Sequence, residues 1–110
     1  MHERVVSWAM RRFGATHDEA AMLVGRAAAV AKSDEVGMLA AFTCVVARAW
    51  WRESGRAERA LARMPVRLRE IARLHYLEGR RVEEIAAASG AAAHEVAHLL
   101  RHVRRRYAAP

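Results

Sequence analysis

The 110-residue chain has one cysteine, Cys44, and one lysine, Lys32, and no apolar run long enough to cross a bilayer. A single cysteine excludes an internal disulfide and a zinc site made of several cysteines, which is typical of a reducing compartment. We expect Cys44 to be a buried small apolar residue. The charged start, Met1 to Arg4, is unlike the apolar segment of a signal peptide. These absences predict a cytoplasmic protein without a membrane partner.

Residues that favour β-strands are also scarce. The chain has two isoleucines, Ile71 and Ile85, against 25 alanines. Because alanine is the strongest helix former and strands depend on β-branched and aromatic residues, this balance predicts an all-α fold. The length suffices for one compact domain or for two small helical lobes, and it is too short for a multidomain enzyme.

Glycine, proline and capping residues divide the chain into six predicted helices. Gly14 ends the first helix, and Thr16 with Glu19 forms a capping box for the second. Ser33 opens the third. The predicted helices lie at about residues 3–13, 16–31, 36–55, 58–64, 66–77 and 92–107, with a short segment at 82–89. We place two lobes at residues 1–56 and 57–110.

Positive charge is concentrated in the second half of the chain. Residues 1–55 carry a net charge of +1 and residues 56–110 carry +6. Guanidinium groups suit phosphates, so this distribution favours nucleic-acid binding by the second lobe. Two helices around a turn at Gly90 predict a helix-turn-helix, in which the second helix buries one face and offers the other to the DNA major groove.

The last predicted helix has the two faces that such a role requires. Val96, Leu100 and Val103 share one side with Tyr107, and the opposite side carries His94, His98, Arg101, His102 and Arg105. We therefore predict the following DNA-binding residues: His94, Glu95, His98, Arg101, Arg104 and Arg105. The adjacent tryptophans at positions 50 and 51 have rings of the kind that stack on nucleic-acid bases. Because their helix is apolar, we expect them instead to pack in the core or at an interface.

Residues 60–107 resemble the C-terminal region 4 of bacterial sigma factors, particularly the extracytoplasmic-function group. The resemblance is carried by Met64-Pro65, Arg69-Glu70, residues 76–79, residues 83–86 and the cluster Arg104 to Arg106. It implies a domain that grips the β flap of RNA polymerase and reads the upstream promoter element. By this resemblance the expected polymerase-binding residues are Leu68, Ile71, Leu74, Arg69 and Arg73.

The first lobe is similar to fragments of sigma region 2. The matching residues are 18–20 with Leu23-Val24, and Phe42 with residues 46–48. The resemblance implies a truncated region 2 and a second contact with the β′ clamp. The chain is also similar, more loosely, to small sigma-like activators of phage-like and gene-transfer-agent clusters.

The predicted recognition helix departs from the family pattern. Positions usually filled by Ser, Thr, Lys and Arg are here Ala92, Glu95, Ala97 and Leu99. The expected function is therefore that of a transcription regulator that resembles a truncated sigma factor. It would bind RNA polymerase, activate or antiterminate selected genes, bind DNA weakly alone, and accept a partner transcription factor.

Three alternatives remain open. The protein could be a promoter-reading extracytoplasmic-function sigma factor, or a sigma mimic that sequesters an anti-sigma factor. The third is a small zinc peptidase, because residues 94–98 match the HExxH pattern. Catalytic zinc needs a third protein ligand, and three histidines in one row along a helix surround an ion poorly. We predict no catalytic residue, no cofactor and no dedicated metal site, and leave nickel or zinc binding by the histidine pair open.

Overall fold

The computed structural model describes residues 2–31 and 39–110, and within them it contains seven α-helices and no β-strand. The all-α prediction is confirmed. The helices are α1 (Glu3–Phe13), α2 (His17–Val30), α3 (Leu39–Glu53), α4 (Arg56–Ala62), α5 (Val66–Tyr76), α6 (Val82–Ser89) and α7 (Ala93–Tyr107).

No helix in the described ranges has both the length and the apolar character needed to cross a membrane. The short segment at 82–89 forms a helix of its own, so the described residues hold seven helices where six were predicted. The predicted helix start at Ser33 lies outside the described residues.

The chain divides into two compact units, Met1–Trp50 and Trp51–Pro110. The predicted lobes met six residues later, between Arg56 and Ala57. The difference arises because Trp51, although it continues α3, is buried and meets the Tyr76 ring edge-on at 4.8 Å between centroids. A tertiary contact, rather than a break in the backbone, therefore sets the division.

Unit 1, Met1–Trp50, is built from α1, α2 and most of α3. Gly14 ends α1 in the left-handed conformation, with φ of 68°. The Thr16 hydroxyl then accepts a hydrogen bond from the Glu19 main-chain N–H at 3.2 Å, which is the predicted cap of α2. Small and apolar side chains fill the core: Val5, Ala9, Ala20, Leu23, Val24, Ala27, Phe42, Val46 and Ala49.

An aromatic cluster lies at the edge of the unit 1 core. The Phe13 ring stacks on Trp50, with centroids 4.2 Å apart and planes within 8°, and it meets Trp8 edge-on at 5.4 Å. Trp50 is half-buried and the adjacent Trp51 is fully buried. Both tryptophans therefore contribute to packing, as the apolar character of their helix indicated.

The expectation that Cys44 is buried is wrong, because its side chain is exposed. In the part of α3 that belongs to unit 1 the buried positions are Phe42, Val46 and Ala49, which share one face at helical spacing. Cys44 is two residues from both Phe42 and Val46, so it projects from the opposite side. The apolar neighbours along the chain did not reveal this orientation.

Unit 2, Trp51–Pro110, packs α4, α5, α6 and α7 around a core of its own. The Arg69 side chain on α5 donates hydrogen bonds of 2.9 Å to the carbonyl oxygens of Leu61 and Met64, where α4 ends. The Tyr76 hydroxyl donates to the main-chain oxygen of Pro110 at 3.0 Å. The buried side chains of these helices include Leu61, Met64, Leu68, Ile71, Ala72, Ile85, Val96, Leu100 and Val103.

Two glycine-to-alanine substitutions are expected to have opposite effects on stability. Gly90 has a φ of 74°, so Gly90→Ala is expected to cost about 1–2 kcal/mol through backbone strain alone, since no atom lies within 4 Å of the added methyl group. Gly25 lies inside α2 with equally open space, so Gly25→Ala should stabilise by about 0.5–1 kcal/mol. Urea denaturation followed by circular dichroism measures the free energy of unfolding of both variants. A change of the same sign in both would contradict the placement of Gly90 in a left-handed turn and of Gly25 inside a helix.

Candidate nucleic-acid interface

The last two helices are joined by a short turn that fixes their relative orientation. The helix α6 begins where the Arg81 main-chain N–H donates to the Glu84 carboxylate at 3.2 Å, and it ends at Gly90, whose N–H donates to the Ala86 carbonyl at 3.0 Å. After Ala91 and Ala92, α7 begins at residue 93. Ile85 and Val96 are both fully buried, so α6 and α7 pack against each other through apolar contacts.

The helix α7 has one buried face and one exposed face. Val96, Leu100 and Val103 are at most 2% exposed, and α7 packs against both α5 and α6. The opposite side is open along its whole length. Its exposed residues are His94, His98, Arg101, His102 and Arg105. The separation of faces predicted from the helical period is confirmed.

The exposed face of α7 is strongly basic. Arg101 and the cluster Arg104 to Arg106 are all exposed, and Glu95 is the only carboxylate of the helix. Within the described ranges, none of these four arginines forms an ion pair. Their charges are therefore not neutralised by neighbouring carboxylates, which is the electrostatic condition for binding an anionic polymer.

His94, Glu95 and His98 lie together on the first two turns of α7, and all three are exposed. The described part of the chain contains no group of three or more His, Cys, Asp or Glu side chains placed to hold a metal ion. A catalytic zinc site uses three protein ligands and a water, and the described residues place no third ligand beside His94 and His98.

The structure separates the expected polymerase-binding residues into two groups. Leu68 and Ile71 are 6% and 2% exposed, so they belong to the core and are not available to a partner. Arg69 is half-buried, and its hydrogen bonds to the end of α4 give it an internal role. Only Arg73, which is exposed, and Leu74, which is half-buried, remain at the surface.

Arg73 and Leu74 belong to a longer exposed strip on α5, whose other residues were not predicted. We define the α5 strip by the residues Val66, Glu70, Arg73, Leu74 and Leu77. Val66 is 76% exposed and Leu77 is 36% exposed, so both leave apolar surface open to solvent. The spacing of four, seven, eight and eleven residues places the strip on one side of the helix. That period was visible in the sequence, but the neighbouring core period of Leu68, Ile71 and Ala72 obscured it.

Comparison with known proteins identified no relative of this chain. The chain has no significant match among models of protein families, curated protein sequences or solved structures. The site is thus defined by two surfaces of unit 2, the basic face of α7 and the α5 strip.

Proposed function

We propose that the protein is a cytoplasmic transcription regulator that binds bacterial RNA polymerase and DNA through unit 2 and activates or antiterminates selected genes. One observation carries the proposal. The helix α7 buries Val96, Leu100 and Val103 and leaves an unneutralised basic face open to solvent. The resemblance of residues 60–107 to sigma region 4 supplies the polymerase part of the proposal.

In this proposal α6 and α7 act as a helix-turn-helix, with α7 in the major groove. The residues at the start of a recognition helix reach base edges, so His94, Glu95 and His98 are placed to face bases. Arg101, Arg104 and Arg105 would contact phosphates, which position the protein and carry no sequence information. The exposed arginine cluster supports this division of roles.

The small residues of α7 favour weak binding to DNA alone. Ala93 is exposed and Ala97 is half-buried on the first two turns, and neither can form a hydrogen bond to a base edge. Most of the affinity would then come from phosphate contacts, which all sequences offer. A regulator that binds DNA mainly through phosphates needs a second binding partner to act at selected genes. In this proposal RNA polymerase is that partner.

The α5 strip is the surface that we propose for polymerase. It combines exposed apolar groups, Val66 and Leu77, with the charged side chains of Glu70 and Arg73. Protein interfaces combine apolar side chains, which supply buried area, with charged side chains that remain partly solvated. The proposal therefore moves the polymerase contact from Leu68 and Ile71 to the exposed side of α5.

Size-exclusion chromatography with core polymerase, with holoenzyme and with DNA alone tests the proposal. We expect co-elution with polymerase at moderate salt. Binding that excludes the resident sigma factor would identify a sigma substitute, and binding that coexists with it would identify an accessory activator or antiterminator. Absence of binding to both forms of polymerase would overturn the proposed function.

A double variant locates the contact. Val66→Glu with Leu77→Glu is expected to lower polymerase affinity at least about tenfold, since binding would then bury two carboxylates without partners. Both side chains are exposed, so the fold should be retained. Ala87→Glu with Ala88→Glu is the matched control, because these exposed residues of unit 2 lie on α6, outside the α5 strip. Equal losses in the two double variants would contradict the assignment to α5.

A further inference from the structure

Two exposed histidines on α7 have the sequence spacing of a metal-chelating pair. His94 and His98 are four residues apart in one continuous helix, Ala93–Tyr107, and both side chains are exposed. Side chains at this spacing lie on the same side of a helix, with Cβ atoms about 6 Å apart. Two imidazoles so placed can turn their ring nitrogens toward one ion, at metal–nitrogen distances of about 2.0–2.1 Å.

Nothing in the described part of the chain competes for these imidazoles. Neither His94 nor His98 makes a hydrogen bond or an ion pair there. Both rings are therefore free to rotate about their side-chain bonds and to offer either nitrogen to an ion. The His75 ring, by contrast, is half-buried, and its Nδ1 is hydrogen-bonded to the main-chain oxygen of Arg80 at 3.0 Å.

A second pair with the same spacing, His98 and His102, is electrostatically less suitable. Arg101 lies one turn after His98 and so neighbours both pairs, but it directly precedes His102, and Arg105 lies one turn after His102. Fixed positive charges at that distance oppose the binding of a dication. Glu95, the only carboxylate of α7, lies beside His94 and three residues before His98, where it offsets the partial positive charge of the first helical turn.

We propose that His94 and His98 chelate a divalent late first-row transition metal ion, of which Zn²⁺ is the representative used below. Imidazole nitrogens suit Zn²⁺, Cu²⁺ and Ni²⁺, whereas Mg²⁺ and Ca²⁺ prefer oxygen ligands. The described residues supply no third ligand, so water completes the coordination. The site binds an ion and does not match the ligand set of a peptidase.

The position of the pair links metal binding to DNA binding. His94 and His98 lie on the face that would enter the major groove, so an ion held there changes what α7 presents to DNA, and DNA changes the affinity for the ion by the same factor. This link rests on the proposed function, whereas the metal site itself does not. A titration of the DNA-free protein therefore tests the site even if the proposed function fails.

Titration of the full chain with Zn²⁺ alone, followed by NMR of the histidine ring protons, tests the proposal. Among the six histidines, the resonances of His94 and His98 are expected to shift together with one dissociation constant. Linking two ligands makes the second binding step intramolecular, so His94→Ala should weaken Zn²⁺ binding by at least about tenfold. The same titration with Mg²⁺ should leave these resonances unchanged.

His102→Ala is the matched control, because it removes an exposed histidine of the same helix and the same face. It should leave the Zn²⁺ dissociation constant within about twofold of the original value. A loss in His102→Ala as large as that in His94→Ala would overturn the assignment to His94 and His98. Shifts of all exposed histidines with no common dissociation constant would overturn the chelate itself.

Discussion

Replacing Arg101 and Arg105 together by alanine is expected to lower the affinity for duplex DNA about 60-fold at 0.1 M salt. Each phosphate contact contributes about 0.9 to the slope of log K against log salt concentration, which is worth roughly eightfold in affinity at 0.1 M salt. Both guanidinium groups are exposed on α7 and form no ion pair within the described ranges. Their removal should therefore cost two phosphate contacts and leave the helix folded.

The salt dependence separates this effect from a change in fold. The slope for the double variant should be smaller by about 2 than for the original protein, for any DNA sequence, because phosphates carry no sequence information. Fluorescence anisotropy with labelled duplexes between about 0.05 and 0.2 M salt gives both the affinity and the slope. An unchanged slope would exclude the α7 face from the DNA contact.

A matched double variant controls for net charge. Arg4→Ala with Arg11→Ala also removes two exposed guanidinium groups, but both belong to α1 in unit 1. If DNA is held by a local surface, this control should keep most of its affinity. If the overall charge of +7 attracts DNA without a defined surface, the two double variants should lose affinity equally, and the role of α7 would be contradicted.

Helix bounds were predictable where a local signal exists. Gly14 and Gly90, the two residues that adopt left-handed backbone after α1 and α6, mark helix ends that the sequence placed correctly. Thr16 starts α2 by accepting a hydrogen bond from the third residue that follows it, which the capping pattern predicts. These features depend on a few neighbouring residues, so a single sequence contains all the information they need.

The faces of α7 were also predictable, because its charged and apolar residues alternate with a clear helical period. The same method failed on α3, where nearly every residue from Leu39 to Val46 is apolar or small and Cys44 could not be assigned to a side. A helical period identifies a face only when the two sides differ in polarity. Tertiary packing decides the rest.

The surface of α5 shows the same limit at the candidate site. Leu68 and Leu74 are chemically identical, yet the first is buried and the second is half-exposed. Arg69 and Arg73 differ in the same way, since Arg69 donates to carbonyl oxygens where α4 ends and Arg73 is exposed. Which leucine and which arginine stay at the surface depends on how α5 packs against the neighbouring helices, which no pattern within α5 contains.

The two adjacent tryptophans provide the strongest test of the two-unit organisation. Trp51→Ala is expected to cost about 3–5 kcal/mol, the usual range for deleting a buried aromatic side chain, because Trp51 is 2% exposed and packs edge-on against Tyr76. A unit of about 60 residues has roughly 3–9 kcal/mol of stability in total. The substitution should therefore unfold much of unit 2.

Trp50→Ala is the matched control and should act on the other unit. Trp50 is half-buried and stacks on Phe13, so its loss is expected to cost about 1–2 kcal/mol in unit 1. Amide hydrogen exchange with mass spectrometry locates each effect, because local protection reports local stability. Trp51→Ala should remove protection from α5 and α7 and leave α1 protected, whereas Trp50→Ala should weaken α1 and leave α5 and α7 protected. Loss of protection in all helices for both variants would show one cooperative unit in place of two, since a single core would transmit either deletion to the whole chain.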